Sequence, residues 1–319
     1  MNDGVKLRSE LDGKDNSSED KSSYKKVDIG DMVYNSMRMW QGANGISNFE
    51  GIVSPAYTVL KAKTNINNNY FAKLFKNTRL INEFRKNSQG LTSDTWNLKY
   101  PQIAPIKIMI PNIEEQNKIA EFFSLIDQRI EKQRQLVESL KKYKRGLLFS
   151  IFTSIQTSVK LEQISTYHSS NLTLEASQTK GDFALYDANG ICSNIDTYMH
   201  DTDYVAIIKD GSGVGKLQYC KQKSSHIGTL GSLTSQSCSP YYLYTALQII
   251  DFTKYITGMA IPHIYYKDYK KCDIPYPDRN SQNLIENTFK SIDKIITKSI
   301  LNLEKLKLLK AGLLQQLFI

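Results

Sequence analysis

The chain has 319 residues, 40% apolar and 23% charged, with a mean hydropathy of −0.40. That length allows about two domains with cores of their own, and the composition excludes a globally disordered, collagen-like or low-complexity chain. Lys and Arg number 41 against 32 acids, a net charge of +9, which favours polyanionic partners because neutralised phosphates release condensed counterions.

Residues 1–26 are polar and charge-rich and are expected to form a disordered lead-in. The opening MNDGVKLRSELDGKDNSSEDKSS lacks the apolar centre of an export signal, and no run approaches the ~18 apolar residues of a membrane span. Residues 27–110 carry short strand-like runs, DMVYNS and IVSPAYTVL, and then a helical stretch, NYFAKLFKNTRLINEFRK. Residues 111–153 read as one long helix. Residues 159–276 repeat the mixed texture, with FALYD, YVAIIKDG and KLQYC as strands and YYLYTALQIIDFTKYI as a helix. Residues 277–319 form a second long helix. Gly90 and Gly258 end the helical stretches, and prolines at 101, 105, 111, 275 and 277 mark extended leads into the long helices. The expected fold class is α+β, two mixed α/β globules alternating with two long helices.

The two long helices are copies of each other. Pro111–Phe152 aligns with Pro277–Phe318 without a gap, at an offset of 166 residues, with 17 identities over 42 positions. Matched pairs include Gln116 with Gln282, Asp127 with Asp293, and K-x-G-L-L beginning at Lys144 and Lys310. Two unrelated amphipathic helices would share the apolar positions, but not Pro, Gln, Asp and Gly as well. In the first copy Ile119, Phe123, Ile126, Ile130, Gln133, Val137, Leu140, Lys144, Leu147 and Ile151 step by alternating fours and threes. In the second, Ile285, Phe289, Ile292, Ile296, Ser299, Leu303, Leu306, Lys310, Leu313 and Leu317 do the same. A sustained 3.5-residue period predicts a seam packed against another helix, here the other copy, as an antiparallel coiled coil. Lys144 and Lys310 are polar breaks that either fix register or lay their stems on the seam with their charges in water.

Asp210-Gly-Ser-Gly-Val-Gly-Lys216 has glycine density but not the phosphate-loop spacing, and lies between two strand-like runs; it reads as a hairpin turn. No catalytic motif is present: no G-x-S-x-G, no H-E-x-x-H, no methyltransferase tetrapeptide. His263, in AIPHIYY, reads as a packed or backbone-bonding histidine. No catalytic or metal-ligating residue is assigned. The cysteines Cys192, Cys220, Cys238 and Cys272 are widely spaced, which suits reduced thiols of a cytoplasmic protein. Two loops carry side chains suited to DNA. The first holds Asn35, Arg38, Trp40, Gln41 and Asn44; the second holds Lys209, Ser212, Lys216, Lys221, Lys223 and His226. Arg pairs bidentately with guanine and Asn or Gln with adenine, while Lys meets phosphate.

The doubled P-x-x-x-x-Q-x-x-I, leading into a long helix that ends K-x-G-L-L-x-x-x-F, resembles the specificity subunit of type I restriction-modification systems. Segments DIGDMVY (28–34), GIVSPAY (51–57) and GMAIPHI (258–264) resemble parts of its target recognition domains. The resemblance runs from about residue 27 to the C-terminus. It implies two target recognition domains, the first at 27–110 and shortened, each reading half of a bipartite DNA target. The helix pair then sets the gap and docks two methyltransferase subunits on faces bearing Phe122, Leu125, Ile295 and Leu301, with restriction subunits joining through these. The chain itself would bind no cofactor, S-adenosylmethionine, ATP and Mg2+ residing on the partner subunits. The shortened first domain reads as N-terminal truncation that leaves it in need of strands from a partner, or non-functional. A coiled-coil scaffold without a DNA role, and an enzyme of unrecognised fold, are the alternatives.

Overall fold

The computed structural model describes residues 4–11, 13, 17–93, 96–175 and 181–318. Two compact units emerge: unit 1 comprises Met1–Gln135 with Ile300–Ile319, and unit 2 comprises Leu136–Ser299. The division cuts through both long helices rather than at their ends, because each globule builds its core on half of each helix.

Unit 1 begins with β1 (Lys25–Val27), β2 (Met32–Asn35), β3 (Asn44–Ile46), β4 (Gly51–Val53) and β5 (Tyr57–Leu60). Strand β2 is central in an antiparallel sheet ordered β3-β2-β5, and β1 pairs separately with β4. Met32, Val33 and Tyr34 are buried in a row, as a strand covered on both faces requires. Helices α1 (Asn68–Leu74) and α2 (Thr78–Asn87) are each opened by an asparagine cap: Asn67 accepts from the Tyr70 amide and Asn77 from the Arg79 amide. A short α3 (Tyr100–Ile103) and the long α4 (Ile113–Ser154) follow. The disordered lead-in expected over residues 1–26 is only partly described. Residues 1–3, 12 and 14–16 lie outside the described residues. In the remainder, Arg8–Glu10 makes a 3-10 turn and β1 begins at Lys25, so that part is ordered.

Unit 2 runs β6 (Ser158–Lys160), α5 (Leu161–Ile164), β7 (Thr166–Ser169), β8 (Phe183–Asp187), β9 (Gly190–Ile195) and β10 (Tyr204–Ile208). It continues through β11 (Leu217–Cys220), β12 (Ser224–His226), β13 (Leu230–Thr234), α6 (Pro240–Leu247), α7 (Tyr266–Tyr269), β14 (Asp273–Pro275) and the long α8 (Arg279–Gln316). The antiparallel sheet is ordered β11-β10-β13-β7, with every residue of β10 buried. A second sheet, β12-β8-β9, joins β12 parallel to β8, and β14 pairs antiparallel with β6. The single helix expected over YYLYTALQIIDFTKYI divides: α6 stops at Leu247, and Asp251 caps a separate 3-10 turn at Phe252–Tyr255. Asp251 offers its own side chain to the Thr253 amide, which competes with helix continuation.

Within each unit the repeated residues perform the same task. In unit 1 Phe123 stacks on Phe318 (5.8 Å between centroids, 12° between planes), and Asp127 receives Lys310 and Lys73, the latter at 2.6 Å. In unit 2 Phe289 packs on Phe152 (6.5 Å), and Asp293 receives Lys144 and the Tyr241 hydroxyl, both at 2.5 Å. By the 166-residue offset these are one aromatic contact and one ion pair, each made twice. The seam lysines therefore close ion pairs rather than reach for water. Gln116 and Gln282, both buried, donate to the carbonyls of Pro111 and Pro277 at 2.9 Å, fixing the start of each helix. All the other apolar seam positions are buried or half-buried, and so are Gln133 and Ser299; Leu317 is the exception, at 42% exposed, with Leu314 and Phe318 turned inward in its place. Leu317 lies just past α8, which ends at Gln316, so the helical stripe no longer dictates which way it points.

Burial pushes the Asp127 carboxyl up, but hydrogen bonds from Lys310 and Lys73 outweigh it and hold the group below its ordinary value. A carboxyl depressed on folding adds stability above about pH 4 that is lost as the pH falls through its folded value. Both tryptophans, Trp40 and Trp96, belong to unit 1, so fluorescence in an acid titration follows that unit. Asp127→Asn is expected to unfold more readily at pH 7 and to lose less of its remaining stability below pH 4 than the parent. Phe289→Ala, which empties a fully buried site, is expected to cost about 3–5 kcal/mol in urea denaturation.

Candidate nucleic-acid interface

In unit 1 the loop between β2 and β3 is held by its own side chains. The Asn35 Oδ1 accepts from the Met37 amide at 2.9 Å, and the Trp40 indole donates to the Met37 carbonyl at 3.1 Å. Trp40 sits edge-on to Trp96 (5.2 Å) beneath the Arg85 guanidinium (5.6 Å), an intramolecular aromatic cluster rather than a free stacking platform. Asn44, expected at the interface, is 6% exposed and gives its Nδ2 to the Gly42 carbonyl, which shapes the turn. Gln41 is exposed and Arg38 half-buried. Asn35, Arg38 and Asn44 line a cleft of about 460 Å³, whose other wall is built by Lys6, Arg8 and Tyr57. Lys6 and Arg8 fall in the expected lead-in, and their neighbouring acids and glycines hid them from sequence reasoning.

In unit 2 the glycine-rich segment is the hairpin turn between β10 and β11, with Gly211, Gly213 and Gly215 at φ of 87°, 94° and 85°. Left-handed backbone at three alternate positions needs residues without a Cβ, which accounts for the spacing. Ser212 and Lys216 are exposed, the latter lying along the turn at Gly213, Lys209 is half-buried, and Lys223 is exposed just ahead of β12. Of the candidate cations, Arg38, Lys209, Lys216 and Lys223 have no ion-pair partner among the described residues. Lys221 is engaged otherwise: it pairs with Asp203 at 3.1 Å and lies over the Tyr219 ring.

His226, expected in the second DNA-facing loop, lies in the interior instead. It is completely buried on β12, its Nε2 2.9 Å from the Ser232 hydroxyl, which lies equally near His200 Nε2. His168 meets Thr234 at 2.8 Å and stands edge-on to His200. The Ser232 hydroxyl thus bridges two of the four histidines, His168 lies edge-on beside them, and the fourth, His263, bonds the Ile261 carbonyl. Among the described residues no group of three or more His, Cys, Asp or Glu could hold a metal ion. The local sequence KSSHIG looks polar, but serine and imidazole satisfy one another inside this core. Burial pushes the Cys220 thiol up to about 12 and Cys272 up to about 11, far from a reactive thiolate.

Two apolar side chains stand out that sequence reasoning passed over. Leu91 and Met259 are fully exposed, each directly following a glycine that ends a helical stretch, Gly90 and Gly258. The Met259 loop adjoins the glycine-rich hairpin through the Gly211 amide on the Pro262 carbonyl at 3.0 Å.

Burial, then the neighbouring His226 and His168, push His200 down to about 4, and burial depresses His226 as well. A histidine depressed on folding contributes stability that is full above its unfolded value of about 6.5 and is lost as pH falls toward the folded value. Moving from pH 7 to 5 should therefore cost unit 2 at most about 2 kcal/mol through His200. The far-UV transition in urea should shift accordingly while the tryptophan transition of unit 1 stays put; identical shifts would refute the assignment to unit 2.

The sequence profile described as the type I restriction modification DNA specificity domain matches residues 8–142 and 157–305. The fold is similar to that of the S subunit of a type I restriction-modification system from M. genitalium, with a TM-score of 0.62 and 15% identity, covering 91% of this chain and 83% of that one. A structure described under complex assembly and conformational transition of the type I R-M system gives 0.60 and 15%, covering 93% and 83%. The HsdS subunit from Thermoanaerobacter tengcongensis gives 0.51 and 15%, covering 94% and 83%. At that identity these structures speak for the fold alone. No curated protein sequence matches the chain. With the profile matching twice and spanning most of its length, the chain belongs to the DNA specificity family of type I restriction-modification systems.

Proposed function

We propose that the chain is a non-catalytic DNA-recognition subunit whose two units each read one half of a bipartite target. The observation that carries this reading is the doubling of one helix contact set, Phe123–Phe318 with Asp127–Lys310 and Phe289–Phe152 with Asp293–Lys144, beside one basic loop in each unit. On this reading α4 and α8 form an antiparallel coiled coil that fixes the gap between half-sites. Arg38 and Gln41 in unit 1, and Lys209, Ser212, Lys216 and Lys223 in unit 2, meet the duplex. Asn35 supports its loop from within, and Asn44, Trp40, Lys221 and His226 play the structural parts described above.

Phe122, Leu125, Ile295 and Leu301 are 43–57% exposed on the long helices. Apolar side chains left bare on a helix suit a protein partner, here two methyltransferase subunits that in turn carry the restriction subunits. S-adenosylmethionine, ATP and Mg2+ would reside on those partners. No described helix is long and apolar enough to cross a membrane.

Footprinting on duplexes with half-sites at varied separation tests the ruler: binding should fall sharply when one base pair is inserted, and equal affinity at every gap would remove it. In a salt titration, Lys216→Ala and Lys223→Ala should each lower the slope of log affinity against log salt by about 1 without changing sequence preference. Arg38→Ala should instead relax preference in one half-site only. Methyltransferase binding without any DNA affinity would favour the scaffold alternative.

A further inference from the structure

In unit 2 the stretch leading into the long helix is closed by a strand. Asp273, Ile274 and Pro275 face Lys160, Val159 and Ser158, and the Leu161 and Glu162 amides donate to the Cys272 and Lys270 carbonyls. Ile274 and Leu161 are completely buried as a result. The 166-residue offset carries Asp273–Pro275 onto Lys107, Ile108 and Met109 of unit 1. There, among the described residues, no strand lies alongside. Ile108, Met109 and Ile110 are 38%, 98% and 40% exposed, and an apolar cavity of about 260 Å³ opens beside Ile106, Ile108, Ile103, Phe71 and Phe84. An unpaired strand edge with apolar side chains is a template for another strand.

A short stretch near the start of the chain repeats the end of the strand that closes unit 2 and its junction with the helix that follows. Val159-Lys160-Leu161, followed by the short helix α5, recurs as Val5-Lys6-Leu7, followed by the 3-10 turn Arg8–Glu10. This segment now lies against Gly45, where an added Cβ would stand 2.7 Å from the Gly4 Cα, and it walls the cleft that holds Asn35 and Arg38. In that seat Leu7 and Leu11 are 41% and 48% exposed. Segment and edge thus each leave in water the apolar side chains that the other would cover.

We infer that the Ile106–Ile110 edge is a strand-accepting surface whose occupant is the chain's own Gly4–Leu11 segment, paired antiparallel with Val5 opposite Ile108. Lys6 then faces Lys107, where unit 2 sets Lys160 against Asp273 at 2.8 Å. Like charges directly opposite weaken a strand pair, so this is a second seat held in balance with the first. Transfer to it opens the cleft at Arg38; that consequence rests on the DNA reading above, whereas the pairing does not.

The register makes Gly4 and Met109 opposite residues. The full-length chain carrying Gly4→Cys and Met109→Cys, with exposed Cys192→Ser to remove a competing thiol, should form a disulfide between the two introduced thiols under mild oxidation, identified by peptide mass. Adding Lys107→Asp, which copies unit 2, should raise the early yield about fivefold. Absence of the cross-link in both backgrounds, with Ile106–Ile110 amides exchanging at unprotected rates, would overturn the second seat. A yield indifferent to Lys107→Asp would overturn the register. The cross-link is read without DNA, so its failure leaves the recognition reading untouched, and loss of DNA binding with the cross-link intact bears on that reading alone.

Discussion

Everything else in the molecule hangs on an aromatic pair backed by a shared carboxylate. A helix of about 40 residues has no reason to be stable alone in water, since most helical stability comes from an apolar face packed on something else. Phe123 on Phe318 and Phe289 on Phe152 supply that face, and Asp127 and Asp293 add direction. Each carboxylate accepts two donors, one from the facing long helix and one from the globule: Lys73 of α1 in unit 1, Tyr241 of α6 in unit 2. A partly buried carboxylate is costly unless its hydrogen bonds are met. The arrangement therefore penalises a slipped register more than it rewards the right one. Asn77 extends the same logic, giving its Nδ2 to the Leu314 and Phe318 carbonyls at the end of α8, where an α-helix leaves acceptors unmet.

The two globules solve one packing problem with different chemistry. Unit 1 fills its core with Phe75, Phe84, Tyr70 and Met32, a mostly hydrocarbon interior. Unit 2 adds a buried polar core in which His200, His226 and Ser232 bond one another. Such a network is sound only when every member is satisfied, which ties its integrity to neutral imidazole and makes unit 2 the half that responds first as the pH falls below neutrality.

Much of this was legible in the residues. The long helices were readable because the period, the prolines and the repeated Gln, Asp and Gly agree, and consistency across levels is the strongest sequence signal. The hairpin at Gly211–Gly215 was readable because positive φ leaves few choices of residue. The binding loops were read less well. A polar side chain in a loop has the same appearance whether it faces solvent, as Lys216 does, or satisfies a neighbour, as Asn44, Lys221 and His226 do. Nothing in one chain separates those cases, because the partner lies far away in sequence: Ser232 for His226, Asp203 for Lys221, Trp96 for Trp40. The lead-in misled for the opposite reason, its Val-Lys-Leu being hidden among charges and glycines.

The hairpin of unit 2 carries one more implication. With left-handed glycines at 211, 213 and 215, the path of the turn is fixed by residues that have no side chains to vary. Val214 between them packs on the core of unit 2, whereas the exposed Ser212 and the flanking Lys216 are free of either demand. Mutational drift at Ser212 and Lys216 would rewrite what the tip presents while its outline stays constant, as interchangeable type is set in an unchanging frame.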